Sequence, residues 1–372
     1  MLGEPSGRRA RGVSAAARAL GLPAPGGLTW ADALDAGAAL TLGGALRIEP
    51  PPTDGPVARE LIDLGARALN EPPPAREPPR TGRLDHPRLW AAGFRAALTQ
   101  LDAALVRGGG DAMNPPADIA AMASKSETRA RLAAAGVPVA PAPPAWAACR
   151  DFDALYAALR ADRGPARGRA FIKLDCGSAA VGLAALMVRP DGLVEALSPM
   201  RVQGAELFSA LGLTRYRGEQ TARPLVDRLL AEGAVVERWI PKAGAQGGAW
   251  DLRVVVIDGE ARQVVMRLSD GPVTNLQAGG RRGDVAALEA SLGPALWSRL
   301  RQTAVEAARA AAPSSLYCGV DLALTVDHRR IVVFEVNAFG DLLPGALHRG
   351  EDTWTAELRA ATRRLRAAGP KP

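Results

Sequence analysis

Cysteine, histidine and aromatic residues are all scarce in this 372-residue chain. The three cysteines, Cys149, Cys176 and Cys318, are odd in number and widely scattered. That excludes a disulfide framework and a cysteine-based zinc site, and fits a reducing compartment. The three histidines, His86, His328 and His348, fall in no metal-binding spacing. No Ser-His-Asp, Cys-His or paired acid–base arrangement stands out. No apolar run is long enough to span a bilayer, and the N-terminus carries no signal-peptide core. The expectation is a cytoplasmic protein with no membrane partner. Aromatics make up only 4% of residues. Nucleic-acid binding is therefore not expected, although the net charge is +7.

What is present is ordinary for a globular protein: 48% hydrophobic and 23% charged residues. The length suits two to three small domains with a real core. Arginines are dispersed along the chain, not gathered in a block. A basic surface that attracts anionic substrates accounts for them.

Three units are expected, over 1–112, 113–233 and 234–372. The first opens with Gly3-Glu4-Pro5-Ser6-Gly7, then Arg8, Arg9 and Arg11, then an Ala-rich helix. This resembles a turn-helix whose leading strand is missing or very short. The turn could offer amides to an anion, but a plain turn is the better reading. Helices are expected over 29–40, 57–69 and 86–107, with a short strand at 45–49. In the second unit, 118–136 reads as a helix or helix pair capped by Gly136. A helix at 152–160 and strands at 170–174, 183–188 and 193–197 follow, then a helix at 224–231. The third unit has a strand at 234–240 and a hairpin, 250–257 with 261–268, about Asp258-Gly259. A helix at 297–311, two strands within 317–337 and a helix at 353–367 complete it.

The chemistry concentrates at a few points. Lys173 lies in a strand that runs into Gly177-Ser178-Ala179-Ala180-Val181-Gly182. A positive charge beside amides free of bulky side chains suits a nucleotide's phosphates. Glu237 stands in an apolar strand next to Trp239-Ile240, where an acceptor could meet a ribose or an adenine edge. Asp251 and Arg253 alternate on one strand face. Arg267 joins that face only if the hairpin has a three-residue turn or a bulge, and the irregular form is expected. Asp321 sits in one C-terminal strand. Glu335 and Asn337 sit two apart in the next, so both point to one face. Three such oxygen donors suit a hard divalent cation, above all Mg²⁺.

The order of these pieces, in KSETRARLAAAGVPVA, FIKLDCGSAAVG, VVERWI, DLRVVVIDGE, MRLSDGPVTNLQAGG and FEVN, resembles the ATP-grasp superfamily. The nearest branch is that of glutathione synthetase and the peptide-type glutamate ligases. The likeness runs from about residue 114 to the C-terminus. The opening GEPSGRR also resembles a bacterial subfamily of ATP-grasp proteins. The resemblance implies an α/β (α+β) fold: two α+β lobes sandwiching ATP, preceded by a small α/β domain. It implies that Lys125, Lys173 and Ser178 contact ATP phosphates and that Glu237 holds the ribose or adenine end. Arg253 and Arg267 would face the phosphates and an acyl-phosphate, with Asn275 near the transferring phosphate. Asp321, Glu335 and Asn337 would hold Mg²⁺ (or Mn²⁺). The implied activity is amide formation between a carboxylate and an amine, with ATP consumed through an acyl-phosphate. A small-molecule kinase and a non-catalytic nucleotide-binding protein are the alternatives. A homodimer is a further expectation. The chain departs from the family after Asn337, where Ala338-Phe339-Gly340-Asp341-Leu342-Leu343-Pro344-Gly345 replaces a small residue and Pro-Gly. That segment normally lies by the acceptor substrate.

Overall fold

Leu2 forms no strand of its own: it makes single parallel bridges to Ile48 and to Leu28 and is fully buried between them. The leading strand, expected from sequence to be missing or very short, is thus reduced to these two single bridges. The computed structural model describes residues 1–78, 80–164, 167–177 and 181–368. Helices α1 (Arg8–Ala19) and α2 (Trp30–Ala36) come first, and Thr29 with Asp32 forms a capping box on α2. Strand β1 (Ala45–Leu46) pairs in parallel with β2 (Asp111–Ala112), a strand the sequence did not reveal. Between them lie α3 (Gly55–Ala68) and α4 (Pro87–Gly108). These two helices touch backbone to backbone at Gly65 and Gly93. A Cβ at either would sit 1.8 Å from a carbonyl oxygen of the other helix.

The 118–136 region is a helix pair, α5 (Pro116–Ala123) and α6 (Lys125–Ala134), broken at Ser124, whose side chain caps α6. After α7 (Pro144–Ala147) and α8 (Phe152–Ala161) comes a five-stranded antiparallel sheet. Its strands are β3 (Arg169–Leu174), β4 (Leu183–Val188), β5 (Val194–Gln203), β6 (Glu206–Arg217) and β7 (Ala234–Arg238), in the order β6-β5-β4-β3-β7. Helix α9 (Glu219–Ala231) precedes β7. The long β6 was not expected, because its mixed polar and small residues give no clean alternation. Strand β7 pairs with β3, Lys173 opposite Val235. Backbone pairing therefore places 234–238, expected to open the third unit, in the five-stranded sheet.

The second large sheet has six strands: β8 (Gly244–Ala245), β9 (Gly248–Ile257), β10 (Glu260–Ser269), β11 (Arg281–Arg282), β12 (Tyr317–Leu324) and β13 (Ile331–Asn337). Its main path runs β11-β10-β9-β12-β13, with β8 paired to β9. Helix α10 (Val285–Ala311) kinks at Gly293, just before Pro294, and α11 (Thr353–Ala368) ends the described chain.

Even-numbered residues of β9 and β12, Leu252, Val254, Val320 and Leu322, pack with Trp297 and Leu300 of α10. The same cluster takes in Leu2, Trp30, Leu61 and Phe94. The first third of the chain therefore shares its core with the six-stranded sheet. The five-stranded sheet has its own core with α8 and α9, including Phe152, Leu155, Leu225 and Leu229. On the other face of the six-stranded sheet, Val255, Ile257 and Tyr317 meet Ala356 and Ala360 of α11. The rest of that face carries the charged residues. No helix among the described residues is long and apolar enough to cross a membrane.

Candidate active site

The hairpin between β9 and β10 decides which charges can meet. Its turn is a tight two-residue one, with Asp258 at φ 52° and Gly259 at φ 77°. A register shift between Ala261 and Val264 then sets Arg267 opposite Asp251 and Val265 opposite Arg253. The irregularity expected from sequence is thus a bulge beyond the turn. Strand β12 sets Asp321 opposite Arg253, and β13 sets Glu335 opposite Asp321 and Asn337 opposite Gly319. Two neighbouring cross-strand alignments, Arg267–Asp251 and Arg253–Asp321–Glu335, therefore put these five side chains on a single face as one staggered row across four strands.

Ion pairs knit the row. Arg253 grips Asp321 with two nitrogens, one at 2.9 Å. Arg267 bonds Asp251 at 2.6 Å and lies 3.1 Å from Asp321. Asp321 and Asp251 are both buried. Burial alone would raise their pKa values, but Arg253 and Arg267 at Asp321, and Arg267 with Lys242 at Asp251, hold both carboxyls below the usual range. Burial would lower the Arg267 pKa, yet the two carboxylates push it higher.

Lysines approach the row from outside it. Lys173 of β3 is buried and ion-paired with Glu237 of β7. Burial lowers its pKa, but Glu237, Glu335 and Asp321 together raise it above the ordinary value. Its Nζ also lies 5.8 Å from the ring of Phe334, the neighbour of Glu335 on β13, so the five-stranded sheet presents this lysine to the other sheet. Lys125, the first residue of α6, reaches the carbonyl of Gly177 and lies 3.5 Å from Glu335. The start of α6 is tied to the same loop through Asp175, which accepts from Ser124 Oγ and the Ser126 amide, each at 2.7 Å. Ser178 lies outside the described residues.

Sequence reasoning missed Lys242. Its Nζ stands 2.8 Å from both Asp251 and Thr274. It also lies over the Phe334 ring at 5.4 Å, with Lys173 5.8 Å from the same ring. Burial lowers its pKa and Asp251 only partly offsets that, while Arg267 and Lys173 add to the lowering. A signal was available: the chain has four lysines, Lys125, Lys173, Lys242 and Lys371, among 46 basic residues. The first three converge here. Asn275, expected near the phosphates, spends its side-chain oxygen capping the turn at Gln277. Its neighbour Thr274 is the residue that reaches Asp251.

Asp321, Glu335 and Asn337 project oxygen donors from one face. Two carboxylates and an amide fit Mg²⁺, which keeps waters and phosphate oxygens in the rest of its shell. Among the described residues no group of three or more His, Cys, Asp or Glu side chains is gathered as a metal cage. Burial disfavours the thiolate at two cysteines, pushing Cys176 up to about 11 and Cys318 up to about 12. The opening turn closes on itself, with the Ser6 and Gly7 amides both bonded to Glu4.

No protein-family model matches the sequence, and no curated protein matches it. Solved structures do. The chain is similar to the ATP-grasp ligase PsnB complexed with a phosphomimetic variant of minimal precursor, Mg and ADP. Identity there is 16% and the TM-score 0.52, over 98% of this chain and 97% of that one. It is also similar to the D-cycloserine synthetase DcsG, at 16% identity and TM-score 0.53, over 95% of this chain and 93% of that one.

Proposed function

We propose that this chain, which has the ATP-grasp fold, is an ATP- and Mg²⁺-dependent carboxylate–amine ligase. The observation that supports this most is the row of Arg267, Asp251, Arg253, Asp321 and Glu335, met by Lys125, Lys173 and Lys242. Such a surface alternates cations for phosphate oxygens with acids for a divalent cation. It provides little that could act as a nucleophile or a His-type base.

In this reading the γ-phosphoryl group is transferred first. A substrate carboxylate oxygen attacks the γ-phosphorus, the bond to the bridging oxygen breaks, and ADP leaves. The amine nitrogen then attacks the acyl carbon, the carbon–oxygen bond to phosphate breaks, and phosphate leaves. The amine loses a proton to solvent or phosphate. The chain's work is placement and charge neutralisation. Lys125 and Lys173 take phosphate oxygens, as does Lys242. Arg253 and Arg267 bond the transferring group and the acyl-phosphate. Glu237 meets the ribose or adenine end. Asp321, Glu335 and Asn337 hold Mg²⁺, which when bound neutralises phosphate charge.

The test is incubation of the purified protein with Mg-ATP and pooled amino acids, amines, small carboxylates and acidic peptides. ADP and phosphate should accumulate together with a new amide seen by mass spectrometry. A phosphorylated product that persists without any amine would instead identify a kinase. No ADP under any pool would defeat the ligase reading.

A further inference from the structure

Asp341 lies in the segment after Asn337 where this chain departs from its resemblance, and it is completely buried. Two arginines from the first third of the chain close on it. Arg9 bonds one carboxylate oxygen and Arg47 the other. The same arginines hold more of the surroundings. Arg9 donates to the Phe339 carbonyl at 2.6 Å and lies 3.3 Å from Glu49. Arg47 bonds Glu49 and Glu357, each at 2.5 Å, and stacks over Tyr317 at 4.7 Å.

The backbone of this segment is held residue by residue. The carbonyl of Ala338 accepts from Asn114 at 3.4 Å, that of Phe339 from Arg9, that of Gly340 from Arg253 at 3.3 Å, and that of Asp341 from Thr353 at 2.9 Å. Four consecutive carbonyls are thus each taken by a side chain from a different part of the chain. One of those side chains, Arg253, also grips Asp321. Beneath the segment Gly340 lies against Gly319 so closely that a Cβ on Gly340 would be 2.5 Å from the Gly319 Cα. A chain held at every residue, at Ala338 and Phe339 by side chains from outside its own unit, is set in one position relative to the phosphate end of the site. An ordinary surface loop needs no such hold.

We infer that Arg9 and Arg47 are positioning residues, which use Asp341 to fix segment 338–341 beside the reacting end of the site. The first third of the chain then acts on the Arg253–Asp321 end of the site although it lies far from those residues in sequence. This rests on the ligase reading. Arg47 and Asp341 are wholly enclosed, so their removal threatens folding. Arg9 is 16% exposed at the edge of the cluster, which makes it the usable probe.

The experiment compares wild type with Arg9→Ala and Arg9→Lys. Arg9→Ala should keep its affinity for Mg-ADP while kcat falls, or the KM of the carboxylate or amine rises, on the order of 10- to 100-fold. Arg9→Lys should recover part of this, because one ammonium can serve Asp341 or the Phe339 carbonyl but not both. Hydrogen exchange over 338–343 should be slow in wild type and faster in Arg9→Ala, with the rest of the chain unchanged. Wild-type kinetics and exchange in Arg9→Ala would overturn the inference. So would a loss of stability and nucleotide affinity in step with activity, which marks a merely structural contact. If the wild type itself makes no product, the ligase reading falls and the exchange comparison alone decides whether Arg9 fixes the segment.

Discussion

Lys242 and Asp251 meet at 2.8 Å in the middle of the charged row, with Thr274 2.8 Å from the same ammonium. Asp251 keeps a second partner in Arg267, so removing the lysine does not strand a bare carboxylate. Lys242→Met should therefore fold. A charged hydrogen bond is worth about 1.5–3 kcal/mol, so affinity for a non-hydrolysable ATP analogue should drop roughly 10- to 100-fold. Calorimetric titration reads this directly, and unchanged affinity would remove Lys242 from the nucleotide site.

Arg267 is the only cation that touches both Asp251 and Asp321 among the described residues. Replacing it with Met leaves two buried carboxylates short of a partner, at a cost of about 3–5 kcal/mol. Arg267→Lys should also destabilise, by less, because an ammonium cannot span both acids. Denaturant midpoints check the order Met below Lys below wild type. A Met variant as stable as wild type would show that the pair contributes nothing.

Glu335 is partly exposed and sits 3.5 Å from Lys125, whereas Asp321 is buried under two guanidinium groups. Both Glu335→Gln and Asp321→Asn should abolish Mg²⁺-dependent ADP formation. They should differ in stability. Glu335→Gln keeps a near-native melting temperature, while Asp321→Asn loses several degrees because Arg253 and Arg267 are left facing a neutral amide. Full ADP formation in both variants would falsify the metal assignment.

Glu357 supplies a pH dependence whose sign can be worked out. Burial pushes its carboxyl up to about 8; Arg47 opposes this, and Asp341 and Glu49 add to it. The cluster has two guanidinium groups for three carboxylates, and one oxygen of Glu357 is buried with no partner. Between the ordinary carboxylate range and about 8, the folded protein keeps a proton that the unfolded chain releases. Stability contributed by this group therefore declines as pH rises through that window. Glu357→Gln mimics the protonated form, so its melting temperature should fall less than that of wild type from about pH 5 to about pH 8. Parallel curves for the two proteins would contradict the shifted carboxyl.

Part of the site was legible in the sequence because local rules govern it. A two-residue period puts Glu335 and Asn337 on one face, and a lysine or aspartate inside an apolar strand demands a partner. Arg267 could be reached only by arguing that the hairpin is irregular, and the bulge between Ala261 and Val264 supplies that irregularity. Strand β6 escaped notice because Ser209, Gly212 and Thr214 blur its alternation. Lys242 escaped because it lies beyond the end of β7, in a Pro-Gly-rich stretch with no period to read. The expected role of Asn275 was attached to the family pattern, while the bond to Asp251 belongs to Thr274.

The sequence by itself determined which residues could be buried with charge: Lys173 and Glu237, each in an apolar strand, and Asp251, Arg253, Asp321 and Glu335 at strand positions of one parity. Those outcomes depend on neighbours two residues away and on pairing within one sheet. Only the tertiary structure decided that Lys173 of one sheet faces the acids of the other. It also decided that Arg47 meets Asp341, 294 residues later. The physical reason is that an ion pair between distant segments leaves no period in either segment. It exists only once the shared core of the first third and the six-stranded sheet has brought them together.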